Sequence, residues 1–226
     1  MDVLYFLKER TKFIRSFHAS GCLPFQETIR KIEAGENPFE PPYSEDGEPP
    51  FMGEWLDAST AMEVLGRTCL SMLSESLKLY FMAWEGQLWV KRPCAKCFKK
   101  SFESGFLEGY RSCFEEALKI DWDECPADLS ILEQVTLARN RAQHPESITT
   151  LHLTHDAHTR KKYPQPFFMH ESEKDLAYSE SPVSLWLDPT LHVSHEKLST
   201  AIDQVELLAD WLEERMLDAK YPLRNP

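Results

Sequence analysis

Residues 131–145 read Ile131-Leu-Glu-Gln-Val-Thr-Leu-Ala-Arg-Asn-Arg-Ala-Gln-His-Pro145, and this stretch decides how the rest of the chain is read. Ile131, Leu132, Val135, Ala138 and Ala142 recur at helical spacing along one stripe. Arg139 lies four residues after Val135 and seven after Leu132, so the same stripe carries it. A cation at the edge of an apolar stripe needs a partner, an interface or a chemical task, because an unpaired charge is costly to bury. His144 follows, and Pro145 ends the helix.

The neighbouring segments carry the same period. Val3 to about Ala19 predicts a first helix, broken at Gly21, and Pro24 opens a second that ends near Gly35. Residues 37–50 (NPFEPPYSEDGEPP) are rich in proline and acid and predict a loop. Phe51 to about Glu85 predicts a long helix with Ala58, Met62, Leu65, Cys69, Met72, Leu79 and Ala83 as its stripe. Gly66 in its interior points to a close helix contact. Pro93 to about Ile120 predicts another helix, with Phe98, Phe102, Phe106, Tyr110, Phe114 and Leu118 at every fourth position. Pro126 begins the helix that carries Arg139. Ser194 caps a final helix to about Lys220, with Leu198, Ile202, Val205, Ala209, Leu212 and Met216 as its buried face.

Residues 147–190 change character. TTLHLTHDAH is followed by the basic RKKYPQP, and Val183–Leu187 (VSLWL) is a candidate strand partner for Leu151–Thr154. The expected architecture is all-α: an up-and-down helical bundle over residues 51–226, with a small irregular or β excursion at 147–190. An N-terminal helical pair and its proline-rich loop occupy residues 1–50.

Composition bounds the function. The chain has 226 residues and a formal net charge of -12, so it has no general attraction for nucleic acid and would need a local basic patch to hold RNA. Its 6 cysteines, in a chain large enough for a core and with no visible secretory signal, are expected as reduced thiols in the cytoplasm. No stretch approaches the length of a membrane span.

Arg139-Asn140-Arg141-Ala142-Gln143-His144-Pro145 is an R-N-x-x-x-H-P string near the end of a bundle helix. It resembles the signature of the HEPN family, small helical bundles with an arginine, a polar residue and a histidine four to six residues after the arginine. The resemblance implies a metal-independent endoribonuclease, often a toxin or defence effector, with its site at a homodimer interface. An antitoxin or a nucleotidyltransferase-like protein is then a possible partner. Arg139, Asn140 and His144 are the catalytic candidates; Arg141, Arg160, Lys161 and Lys162 are candidates for gripping RNA. No cofactor is implied.

The residue chemistry is compatible with that reading. A five-residue step turns about 140° in an ideal helix, so Arg139 and His144 face one way only if Pro145 frees His144 from helical geometry. The histidine would act as base on a ribose 2′-OH. The arginine would hold the scissile phosphate. Asn140, one turn before His144, would orient the imidazole. The alternative is a non-catalytic RNA- or nucleotide-binding or interaction module. In it, Arg139 pairs with a buried glutamate and His144 closes the helix at the negative end of its dipole.

Two further groupings predict no metal site. Cys94 and Cys97 form a lone CxxC among lysines, without the two additional ligands that zinc requires. His152, His155 and His158 repeat every third residue and would point to different faces of an extended segment.

Overall fold

A computed structural model describes residues 2–42, 49–88, 101–144, 152–178 and 188–221. Its long helices are α1 (Val3–Ala34), α2 (Met52–Gln87), α3 (Phe106–Leu118), α4 (Leu129–Gln143) and α7 (His195–Lys220). The short α5 (Ala157–Lys162) and α6 (Glu171–Tyr178) lie between α4 and α7. A single 3-10 turn, Trp122–Glu124, links α3 to α4. Among the described residues no helix is long and apolar enough to cross a membrane.

The first helix is longer than the sequence predicts. The expected N-terminal pair is one continuous helix that passes through both Gly21 and Pro24. Proline inside a helix removes one donor, here the partner of the Ser20 carbonyl, and Ser20 is exposed. Gly21 does not break the helix because it faces α2: a Cβ there would stand 2.6 Å from Leu65 Cδ2. The helix stops instead at Gly35, at φ 63°, whose N–H bonds the Ile32 carbonyl while Glu36 N–H bonds that of Lys31.

The core faces follow the sequence with one rotation. On α2 the fully buried line is Cys69, Leu70, Leu73, Leu77, Tyr80, Phe81 and Trp84. Leu79, expected on it, is exposed, and Met62, Leu65, Met72 and Ala83 are only half-buried. The aromatic run of α3 collects round one ring, with Phe106, Tyr110 and Phe114 centred 5.9, 4.9 and 5.5 Å from Phe81. The helix predicted from Pro93 begins outside the described residues, and its described part breaks at Gly105, at φ 132°. On α7 all six predicted core residues are buried, and Ser194 caps the helix by accepting from Lys197 N.

α2 and α7 touch each other, and each packs against both α1 and α4. α1 and α4 therefore take opposite flanks of a helical bundle. Val3, Leu7 and Ile14 of α1 belong to the same apolar cluster as the α2, α4 and α7 stripes.

The 147–190 excursion contains no strand among its described residues. Its extended pairing is one antiparallel bridge, Thr154 with Thr190, flanked by Leu191 N–H to Leu153 O (2.7 Å) and His155 N–H to Pro189 O (2.9 Å). Pro189 has no N–H to extend the ladder, and Asp156 caps α5 immediately afterwards by accepting from Thr159 N. Val183–Leu187, the predicted partner strand, lies outside the described residues.

Candidate functional site

Asp128 starts α4 by accepting from Ser130 N and Ile131 N. Leu132, Val135 and Ala138 then bury one face completely. Gln134 is also buried, and its Oε1 accepts the Phe167 N–H at 2.6 Å. This fixes the rotation of α4 and thereby sets where its last turn points.

Arg139 continues the stripe and is half-buried. Its Nη1 donates to Asn140 Oδ1 at 3.0 Å. Among the described residues no carboxylate pairs with it. The buried Arg139–glutamate pair of the alternative reading is therefore not present among them. Asn140 is exposed, and its carbonyl accepts the His144 N–H at 3.1 Å. His144 leaves the helix at φ -124° and ψ 66° and is exposed. Its imidazole makes no hydrogen bond among the described residues. Asn140 thus touches both expected partners, but differently from the sequence reading: its side chain steadies the guanidinium, and only its backbone reaches His144. Pro145 lies outside the described residues.

The predicted RNA-gripping cations separate. Arg141 Nε donates to the Thr154 carbonyl at 2.7 Å, tying α4 to the excursion. Arg160 pairs with Asp188. Lys162 meets Glu133 at 2.5 Å, and Tyr163 donates to the same carboxylate at 2.6 Å. Burial raises the Glu133 carboxyl, but these two contacts outweigh it and hold the group below its ordinary value. Burial, with Glu133 alongside, pushes the Tyr163 hydroxyl up to about 12. Lys161 is exposed, with no ion pair among the described residues.

Sequence reasoning missed an open cleft of about 720 Å³ beside this helix. It lies between the start of α3, the outer face of α4 and α5. Ser130, Glu133, Leu137 and Asn140 line it from α4, and His158 and Lys162 from α5. At about 1.5 Å per residue it runs some 15 Å along α4, ending at Asn140. Thr136 Oγ1 and Arg111 Nε, which also line it, are buried without a hydrogen-bond partner among the described residues. No local motif signals such a cleft, because it needs α5 to fold back on α4.

The three histidines of the excursion go three ways. His152 approaches Glu63 at 3.4 Å, His155 Nε2 bonds the Phe168 carbonyl at 2.8 Å, and His158 lines the cleft. Among the described residues no group of three or more metal-ligating side chains converges. Cys94 and Cys97 lie outside them, as do the lysines that surround the CxxC. Comparison of the chain with protein-family models, with curated proteins and with solved structures gave no match.

Proposed function

We propose that the chain is a metal-independent RNA endonuclease of HEPN type, using Arg139 and His144 at the end of α4. The observation that carries this reading is the state of Arg139. It is a guanidinium bonded to a neutral amide, without a carboxylate among the described residues, five residues before an exposed histidine at the helix end. Such a fork matches a phosphate oxygen pair. Imidazole is the side chain that exchanges a proton near neutral pH. With phosphate on Arg139, His144 takes the proton of the ribose 2′-OH, and the oxygen attacks the adjacent phosphorus. The 5′-oxygen leaves as the P–O bond breaks, and the product end is a 2′,3′-cyclic phosphate. One imidazole does not serve as base and acid in the same instant; a second copy of the chain at the α4 end supplies the other. A toxin or defence role, with an antitoxin or nucleotidyltransferase-like partner, follows from the same resemblance.

The test is cleavage of a mixed-sequence RNA in EDTA. Product ends that carry cyclic phosphate, lost in His144→Ala and blocked by a 2′-deoxy sugar at the cut site, are the expected result. Intact RNA, or strict dependence on added metal, overturns the reading.

A second reading, a non-catalytic RNA-binding or interaction module, is favoured by a different observation. The Asn140 side chain serves Arg139 rather than His144, and Arg141, Arg160 and Lys162 all bond protein acceptors. Tight RNA binding without cleavage, abolished by Arg139→Ala, would select it.

A further inference from the structure

Among the described residues, most of the exposed large apolar side chains lie on α1 and α2, with Leu207 and Leu217 on α7 and none on α4. Phe6, Phe13 and Phe17 follow one another at steps of seven and four along the outer face of α1, exposed by 54%, 57% and 39%. Two adjoining depressions, about 460 and 140 Å³, open between this row and α2, and Phe6, Arg10 and Ser76 border both. Leu79, exposed by 40%, extends the surface along α2.

Arg10 sits in the middle of this apolar ground. Its Nε donates to Ser76 Oγ at 3.0 Å, and no carboxylate pairs with it among the described residues. Glu9, beside it, makes only a loose 3.9 Å approach to Lys12. A charge placed so invites an acidic partner, and the row supplies one. In a two-fold antiparallel pairing of α1 with another α1, residues whose numbers sum to 19 face each other. Phe6 then faces Phe13, and Glu9 faces Arg10, twice over. That is the self-complementarity an isologous contact requires. At about 200 Å² per aromatic side chain, the three phenylalanines expose about 300 Å². That is already on the scale of functional patches.

We infer that the outer face of α1 is a self-association surface whose occupant is α1 of a second copy of this chain. It is distinct from the pairing of α4 ends, because α1 and α4 lie on opposite flanks of the α2–α7 pair.

Sedimentation equilibrium of the full chain tests it. Arg10→Glu puts like charges opposite each other at both central pairs, and should weaken association by about 100-fold or more, halving the sedimenting mass. Glu9→Arg combined with Arg10→Glu exchanges the signs and should restore it. Phe13→Glu should break it with the helical circular dichroism unchanged, since the side chain is exposed. A wild-type chain that is monomeric at tens of micromolar (a concentration about as high as weak specific contacts need) overturns the inference. So does an Arg10→Glu protein of unchanged mass, or a double variant that stays dissociated.

Discussion

Gly66 offers a measurable test of how the helices are fitted together. A Cβ built there would stand 2.6 Å from the Val193 carbonyl oxygen and 3.1 Å from Val193 Cβ. The obstacle is backbone, and that backbone is tied down. Leu191 N–H holds the Leu153 carbonyl, His192 N–H holds that of Phe168, and Ser194 caps α7. Val193 cannot retreat without loosening these bonds. Gly66→Ala therefore incurs an overpacking cost of about 1–3 kcal/mol, toward the upper end because a backbone atom must move. Alanine's better helix propensity returns about 1 kcal/mol. The net loss is about 1–2 kcal/mol, and for a chain of this size each kcal/mol lowers Tm by about 2–4 °C. Two controls isolate the cause. Gly21→Ala meets only the flexible end of Leu65, which can turn aside, and should be nearly neutral. Gly86→Ala, with nothing within 4 Å, should stabilise by about 0.4–1 kcal/mol. Urea unfolding of the three variants against wild type is the assay. A Gly66→Ala protein as stable as Gly86→Ala would refute the close contact between α2 and the segment leading into α7.

Other outcomes follow from the same geometry. Arg141→Ala should cost about 1.5–3 kcal/mol through loss of a charged hydrogen bond to the Thr154 carbonyl, read by denaturant midpoint; a loss of RNA affinity with no loss of stability would place this arginine in the site instead. His144→Ala should leave the midpoint within about 0.5 kcal/mol, because the residue is exposed, while lowering cleavage by ~10²–10⁴-fold; equal activity would remove it from the mechanism. Arg139→Lys should not recover activity fully, since an ammonium lacks the two-pronged fork, and full recovery in the same assay would count against bidentate phosphate contact. Burial holds His18, His155 and His192 below the ordinary histidine value of 6.5, aided for His18 by His195 and for His192 by His170. The unfolded chain then binds more protons than the folded one below that value. Stability should be highest above about pH 7 and fall as pH drops through 6.5, where a flat urea profile would contradict the burial.

The long elements were legible because burial imposes a period, and α7 shows it best. Its six stripe residues are readable from spacing, its cap from Ser194 and its end from Pro222. On α2 the same logic placed Ala58 and Cys69 in the core and Leu65, Met72 and Ala83 against it, but put Leu79 inside, because that helix has apolar residues on more than one side. Leu79 and Met82 are as apolar as Leu77 and Phe81, and only the packing of α1 and α7 decides which pair is covered. Gly21 and Pro24 were misread as punctuation: Gly21 packs on Leu65, some forty residues away in sequence, and Pro24 frees only the carbonyl of the exposed Ser20. The candidate site divides likewise. The sequence locates Arg139 and His144 at the end of a helix. It does not show that Asn140 turns to the arginine, or that Glu133 holds Lys162.

Charge pairing links the two proposed contact regions. In a chain with 37 acidic residues against 25 Lys and Arg, most of the described cations find a carboxylate. Arg15 pairs with Asp203, Arg30 with Glu27 and Glu36, Arg67 with Glu63, Arg111 with Glu108, Arg160 with Asp188 and Arg215 with Glu124. Arg141 bonds the Thr154 carbonyl; among the described residues, Arg10 and Arg139 bond neutral side chains instead. Each has a neutral side-chain acceptor, Ser76 or Asn140, and no carboxylate. In an acidic chain a carboxylate-free guanidinium is the local exception that an anionic partner can use, because most of the molecule repels such a partner. The two differ in what surrounds them. Arg10 lies among exposed phenylalanines with Glu9 beside it, which suits a protein surface carrying the same pattern. Arg139 bonds Asn140, which lines an open polar cleft, and an exposed histidine follows five residues on, which suits a phosphate with a proton to move. On the two proposals, the same electrostatic rule would match α1 to a copy of the chain and the end of α4 to a phosphate. It also predicts that salt weakens both contacts, and that Arg10→Glu leaves the Arg139 site untouched.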